Sequence, residues 1–470
     1  MHNSGAAWND RGGSRMIINH QILVLGGGPA GLNAAKYAAN AGGDVGLIDS
    51  GSRLGGQYWR HTGDISVDHA MHHNFDQGSL LIDAVSANPR IAVYLGSQIW
   101  SASILNNAII LRTRDQVFQT QRLIIATGAY DRSLPFPGWD IPGVMTAGAA
   151  QALLKGSGVI AGENIVIAGT GPFLLPVAAG ISRHGGNVVG VLEAANRTAW
   201  SKGLGTLVQN PSKIVEGLGY IRTLRENKVK IHFNQTVIAA HAGTNGLLES
   251  VTVANIDRNF NVKSTYSVKC DVAAISWGFT PDTSIAGALH LRQKVSGDGS
   301  VIIEVDDDQR AIQSNAVIEI YAAGESTGIG GSELALAEGA IAGLAAAHHT
   351  RVPKQLRKLR RKAQKFANAL SKVYPVAPGW KSWLTPETLI CRCEEVTYQT
   401  VQEAAAELGA VDPRGAKLMV RCGMGMCQGR ICGRTISDLL DGDDNDRIHA
   451  GYRPIITPIT LGELAQEGLL

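Results

Sequence analysis

The feature that most constrains this chain is a unit that occurs twice. The first copy runs from the apolar stretch Gln21–Leu25 (QILVL) through Gly26-Gly27-Gly28-Pro29-Ala30-Gly31 into the alanine-rich stretch Leu32–Ala41. A second apolar run, Val45–Ile48, then ends at Asp49. Strand, GxGxxG turn, helix, strand and acid in that order is the fingerprint of a Rossmann dinucleotide-binding unit. Gly26 makes the tight turn, Gly28 lets the backbone approach a pyrophosphate, and Gly31 lets helix and strand pack closely. The helix start offers free N–H groups and a partial positive charge to phosphates. Asp49, 18 residues past Gly31, is placed to accept hydrogen bonds from a ribose. Pro29 and Ala30, which open the helix, and Ser50, next to the acid, complete the candidate contacts.

The second copy runs from Asn164–Ala168 (NIVIA) through Gly169-Thr170-Gly171-Pro172-Phe173-Leu174, and its second strand Val188–Leu192 ends at Glu193. Leu174 stands where the third glycine belongs and is expected to hold the helix away from the strand. Glu193 disfavours a 2′-phosphate and so favours NAD over NADP. Two readings stand. The unit exchanges hydride with NAD through Gly169, Gly171 and Glu193, or it keeps the fold and holds another nucleotide, or none.

At 470 residues the chain is long enough for about three domains. Its 56 glycines are neither periodic nor paired with high proline, which excludes collagen-like and low-complexity chains and suits a fold with many close backbone approaches. A net charge of +3 is too small to argue for nucleic acid. The one basic run, Lys354–Lys365 (KQLRKLRRKAQK), has apolar Leu356 and Leu359 at helical spacing and reads as a solvated helix face. No apolar run reaches the length of a membrane span. Met1–Arg15 is polar, lacks an apolar signal core and reads as a flexible extension, so a cytoplasmic location is expected.

Five of the six cysteines fall between Cys391 and Cys432. Clustering late in a long chain reads as a metal site. Cys391-Arg392-Cys393 is followed after 28 residues by Cys422, and four residues separate Cys422 from Cys427 and Cys427 from Cys432. Thiolates in fours bind zinc or iron–sulfur clusters. Zinc sites favour CxxC knuckles, and a CxC pair suits a binuclear cluster. The expected ligands are Cys391, Cys393, Cys422 and Cys427, because the glycine-rich stretch between the last two can fold round a cluster. Cys432 is read as lying in the following helix, Gln428–Leu440, in a structural role, with the choice between Cys427 and Cys432 as the fourth ligand left open. A second helix, Val401–Leu408, is capped by Thr397. A zinc site or unligated thiols remain the alternatives. No cysteine precedes Cys270, which stands alone, so a disulfide-reductase pair is excluded and Cys270 reads as a buried small residue.

Several segments carry resemblances. Arg53-Leu54-Gly55-Gly56-Gln57 resembles the GG segment after the second strand of many flavoproteins. Leu123–Gly128 (LIIATG), with Ala126, Thr127 and Gly128, resembles the ATG strand end of flavoproteins with two dinucleotide domains. Tyr321-Ala322-Ala323-Gly324-Glu325 with Leu336–Gly339 resembles their late FAD segment, Glu325 replacing the usual Asp beside the ribityl chain. Asp271–Pro281 resembles the strand that returns from an inserted NAD-type domain. The CxC arrangement resembles the bacterioferritin-associated-ferredoxin type of [2Fe-2S] domain.

The implied fold class is α/β. A FAD-binding domain (16–129 and 282–350) holds an inserted NAD-type domain (130–281). A basic helix and linker (351–385), in which Pro375 and Pro378 mark the break, leads to a small, mostly α [2Fe-2S] domain with an apolar docking tail (386–470).

The whole, and above all Ile125–Gln151, Gly169–Ala179 and Arg421–Cys432, is similar to the α subunits of heteromeric amine dehydrogenases. These include opine oxidases, hydroxyproline and proline dehydrogenases and hydrogen cyanide synthase. The resemblance implies FAD, a [2Fe-2S] cluster, and a hetero-oligomer. The partner is a flavin-containing β subunit of D-amino-acid dehydrogenase type that oxidises the C–N bond, sometimes with a small ferredoxin-like γ subunit. No residue of this chain presents itself as a base for amine oxidation. A self-sufficient NADH:acceptor reductase and a non-enzymatic scaffold are the competing readings. His69, His72 and His73, and Trp59, Trp139 and Trp277, read as loop and packing residues.

Overall fold

The computed structural model describes residues 17–63, 75–199, 209–312, 318–349, 352–440 and 442–466. Met1–Arg15 and the histidines His69, His72 and His73 lie outside the described residues.

Continuous apolar runs become strands buried on both faces, as parallel strands covered by helices must be. β1 (Ile22–Leu25), β2 (Val45–Ile48), β3 (Ile91–Tyr94) and β4 (Arg122–Ile125) pair in parallel. The four side chains of β1 are at most 3% exposed, and burying each stabilises by roughly 1.5–3 kcal/mol. α1 (Pro29–Asn40) joins β1 to β2 with its alanine stripe facing inward.

After β4 the chain leaves through β5 (Ala129–Asp131) and builds a second parallel sheet. Its strands are β6 (Val144–Thr146), β7 (Asn164–Gly169), β8 (Asn187–Glu193), β9 (Ile231–Phe233) and β10 (Val272–Ser276), in the order β6-β10-β7-β8-β9. α2 (Leu174–Arg183) follows β7, and α3 (Pro211–Glu226) packs on α2. The chain returns through β11 (Phe279–Pro281), which pairs antiparallel with β5. The outgoing and returning segments thus form a two-stranded neck between the sheets. β12 (Glu319–Ala322) then pairs with β4 and completes the first sheet in the order β12-β4-β1-β2-β3.

α4 (Ser332–Ala346) crosses α1 at very short range. A Cβ at Gly339 would stand 2.1 Å from Ala30 O, and one at Gly343 2.3 Å from Ala34 O. The basic run forms α5 (Lys354–Val373), but it is not only the solvated face its composition suggested. Arg357 pairs with Asp308, and Arg360 Nε lies 3.3 Å from a carboxylate oxygen of Glu338, which is buried on α4. Burial pushes the Glu338 carboxyl up, and Arg360 of α5 opposes that shift with its positive charge.

The linker is anchored rather than loose. Trp380 and Trp383 are buried, Trp383 stacks on Phe260 and its Nε1 donates to Phe260 O at 3.1 Å. The last part holds α6 (Tyr398–Glu407), capped by Thr397 as the sequence suggested, α7 (Pro413–Val420), and α8 (Gly433–Leu439). The helix read over Gln428–Leu440 starts five residues later. Gln428 (φ 53°) and Gly429 (φ 78°) lie in the left-handed region, through which a right-handed helix cannot run. Asp438 on α8 gathers Arg132, Arg434 and Arg447, which fastens α8 to the neck. The tail docks on its own chain: Ile456 is buried and its N–H donates to Trp100 O at 2.8 Å. Among the described residues no helix is long and apolar enough to cross a membrane.

Candidate functional site

At the first glycine turn, everything is drawn close. A Cβ at Gly26 would stand 2.2 Å from Ala126 O, and one at Gly31 1.7 Å from Gly26 O. α1 therefore starts directly on the turn, at Pro29. Asp49 braces it, accepting from Gly27 N and, at 2.6 Å, from Gly51 N; Ser50 lies between Asp49 and Gly51. Among the described residues the N–H groups of Gly28, Ala30 and Gly31 have no protein acceptor, so they are available to an anion. Gly55 N donates to Gly27 O at 2.8 Å, and Gly56 backs onto Gly28. Arg53 turns to the carbonyls of His61 and Thr62, and Gln57 accepts from Arg60.

The ends of β4 and β12 extend this surface. Ala126 N donates to Leu25 O, and Thr127 Oγ1 donates to Asp282 O at 2.8 Å. Gly128 (φ 74°) turns the chain into the neck. Gly324 N donates to Glu338 at 3.0 Å, while Glu325 accepts from Gly331 N at 2.8 Å and Gly330 N at 3.3 Å. Burial pushes the Glu325 carboxyl up to about 7. The sequence placed Glu325 beside a ribityl chain; here its carboxylate is engaged by the turn that precedes α4.

The second turn is built differently. Gly169 keeps the close approach, since a Cβ there would stand 1.7 Å from Ser276 O. α2, however, starts only at Leu174, whereas α1 starts at the proline that corresponds to Pro172. Leu174 N donates to Gly171 O and Leu175 N to Pro172 O, and Pro176 has no N–H. Gly171 N is taken by Glu193, which also accepts from Thr170 Oγ1 and Ala195 N. Burial pushes the Glu193 carboxyl up to about 7. Leu174, expected to hold the helix away from the strand, fills the space between the two. It is 1% exposed, packed with Ile165 and Ile167 of β7, and the helix start has shifted.

All five clustered cysteines come together. Their sulfurs form a chain of contacts, Cys422–Cys391–Cys432–Cys427–Cys393. Among the described residues no three side chains converge as ligands of a single ion would. Cys391, Cys393, Cys427 and Cys432 line a cavity of about 230 Å³ whose other wall includes Leu134, Trp139 and Trp277. Cys432 is the N-cap of α8, not a residue within that helix. Cys422 contacts Cys391 from outside the cavity wall.

The donor set fits an iron–sulfur cluster. Bonds from the Cys422 and Cys432 thiols, then from Gly423 N and Glu394 N, hold the Cys391 sulfur down to about 2. The bond from Cys432 comes first in lowering Cys427 to about 5, with Ile431 N and Gly429 N adding to it. Cys422 and Cys432 are pushed up, each first through its bond to Cys391. Sulfurs packed this closely cannot all ionise without positive charge among them, which is what iron provides. By contrast, burial pushes the isolated Cys270 thiol up to about 12, in keeping with a packing role.

The neck brings the two regions together. Arg430, on the loop between Cys427 and Cys432, has its Nε 3.7 Å from Asp282 Oδ2, and Asp282 N donates to Gly128 O at 2.9 Å. Tyr130 of β5 lies close enough to Asp282, Arg430, Arg453 and Cys427 to feel their charges. The sequence singled out neither Arg430 nor Tyr130, and it left open whether Cys427 or Cys432 completes the ligand set. Trp139, whose Nε1 donates to Leu389 O at 2.7 Å, and Trp59 and Trp277, which are buried, pack as expected.

Known proteins share both regions. The pyridine nucleotide-disulphide oxidoreductase family model matches residues 20–343, and the BFD-like [2Fe-2S] binding domain model matches residues 389–442. An opine oxidase subunit from Agrobacterium tumefaciens (strain Ach5) is 28% identical over 95% of this chain and 91% of its own length. Hydrogen cyanide synthase subunit HcnB of Pseudomonas aeruginosa is 30% identical over 90% of this chain and 93% of its own. Among solved structures, L-proline dehydrogenase from P. horikoshii superposes with a TM-score of 0.65 at 19% identity, over 96% of this chain and 81% of that one, a likeness of fold.

Proposed function

The chain belongs to the pyridine nucleotide-disulphide oxidoreductase family and carries a BFD-like [2Fe-2S] binding domain, and from that premise we propose that it is the electron-transfer subunit of a heteromeric amine or imino-acid dehydrogenase. It is an oxidoreductase with FAD and [2Fe-2S] as cofactors. Its relatives are named as subunits of multi-subunit enzymes, and it works in a hetero-oligomer. A flavin takes up an electron pair and can release electrons singly, while a [2Fe-2S] centre takes one at a time.

The observation that carries the reading is the short reach of the neck. The loop between Cys427 and Cys432 is tied by Arg430 to Asp282, and Asp282 to Thr127 and Gly128. The two redox sites are neighbours in one chain, as a relay requires. This chain's residues bind and orient. Gly28, Ala30 and Gly31 offer N–H groups to a pyrophosphate, Asp49 braces the turn, and Arg430 fixes the ligand loop against the flavin domain. Oxidation of the C–N bond takes place on a flavin-bearing β partner, and a small ferredoxin-like γ subunit is a further candidate partner.

The proposed cluster ligands are Cys391, Cys393, Cys427 and Cys432, the four that share the cavity, with Cys422 as a buried neighbour. Iron content and the EPR signal of the dithionite-reduced chain test this choice. Cys422→Ala should keep both and Cys432→Ala should lose both; the reverse outcome would restore the set expected from sequence. The alternative of a self-sufficient NADH reductase is disfavoured by the second turn, where Gly171, Leu174 and Leu175 give their N–H groups to the protein itself.

A further inference from the structure

We infer that Arg453, outside the ligand loops, sets the reduction potential of the cluster by placing an unmatched positive charge against it. Arg453 comes from the tail after α8, and its guanidinium is seated against the loop that carries Cys422, Cys427 and Cys432. Nη1 donates to Gln428 Oε1 at 3.1 Å. Nη2 lies where two side chains would otherwise stand: a Cβ on Gly429 would be 3.0 Å from it and one on Gly423 3.6 Å. Both glycines have φ of 78°, so each turn needs a residue without a Cβ and leaves a cradle for the guanidinium.

Most arginines around the cluster are matched by a carboxylate; Arg392, on the first ligand loop, is not, but its guanidinium lies over the Trp139 ring and bonds Asp140 O. Arg430 faces Asp282, and Arg132, Arg434 and Arg447 share Asp438. Among the described residues no carboxylate pairs with Arg453. The groups of opposite sign that act on it are the sulfurs of Cys432 and Cys427 and the Tyr130 hydroxyl. Lys417 and Arg414 lie on the same side and add no negative charge. A half-buried guanidinium keeps its charge at any working pH, and water screens it only partly.

One-electron reduction of a [2Fe-2S] centre, with the reduced flavin as donor, adds one negative charge and no proton. A fixed cation beside Cys427 and Cys432 therefore stabilises the reduced form over the oxidised form and raises the potential. This favours electron transfer from flavin to cluster over the reverse. The inference rests on the assignment of Cys427 and Cys432 as ligands.

The test is an EPR-monitored redox titration of the full chain and its Arg453→Gln and Arg453→Lys variants, with iron content and the flavin midpoint measured on the same samples. At the poise where the parent cluster is half reduced, Arg453→Gln is expected to show about a tenfold lower ratio of reduced to oxidised cluster, about 59 mV for one electron. Arg453→Lys should stay near the parent, and the flavin midpoint should not move. A Gln variant that titrates with the parent overturns the inference, as does a Lys variant that falls as far as Gln, since then the shape and not the charge matters. A Gln variant that binds no iron while Lys does also overturns it, because Arg453 would then hold the cluster instead of poising it. Failure of the underlying reading looks different: the parent chain itself would carry no iron and no signal.

Discussion

The two glycine turns begin from nearly the same sequence pattern and end as different surfaces. At the first, Gly31 packs on Gly26, α1 starts at Pro29, and three N–H groups are left without a protein acceptor. At the second, Leu174 fills the core, α2 starts two positions later, and Leu174, Leu175 and Gly171 give their N–H groups to the protein itself. Pro176 removes one more. Anion binding at a helix start depends on free donors, not on glycines as such. The comparison teaches that the third glycine acts by letting the helix begin early, which is what leaves its first N–H groups free.

Importing the difference breaks the first site. Gly31→Leu places a Cβ well inside contact distance of Gly26 O. We expect loss of nearly all bound flavin, read by absorbance after purification, together with a destabilisation of at least about 1–3 kcal/mol from overpacking. Retention of flavin at parental stoichiometry would show that α1 need not begin on the turn.

The braces of the turns give a pH test. Glu193 is raised from 4.5 to about 7 by burial. The folded chain then holds a proton that the unfolded chain has released, so stability falls as pH rises between about 4.5 and 7. The loss across that window is of order 3 kcal/mol. In denaturant melts of the full chain, Glu193→Gln should flatten this slope. An unchanged slope would mean that the three hydrogen bonds it accepts outweigh the burial.

The smallest effect is the most discriminating. Leu174→Gly restores the glycine but leaves Pro176 and the Glu193–Gly171 bond, so NADH should still fail to bleach the flavin in an anaerobic mixing experiment. Bleaching by that variant alone would make Leu174 the single block.

Much of this was legible in the sequence, and the reasons are local. β1, β2 and β7 are continuous apolar runs because both faces are covered, and Thr397 caps α6 through its own hydroxyl. What escaped depends on partners far along the chain. Arg360 turns inward because Glu338 is buried on another helix, and Arg430 matters because Asp282 lies across the neck. Equal four-residue spacings on either side of Cys427 cannot say which neighbour joins it in the cavity; that follows from the left-handed turn at Gln428 and Gly429, which ends the loop at Cys432. The shifted start of α2 was also hidden, since a leucine in place of glycine does not reveal whether helix or strand gives way.

In the proposed relay, electrons enter this chain from a partner subunit and not from NADH. An anaerobic absorbance and EPR titration of the purified chain, with NADH first and dithionite second, tests it most directly. The expected result is a flavin that stays oxidised with NADH, followed by a [2Fe-2S] EPR signal once dithionite is added. Reduction of flavin and cluster by NADH within the mixing time would rule out a relay fed only by a partner and make this chain a reductase in its own right.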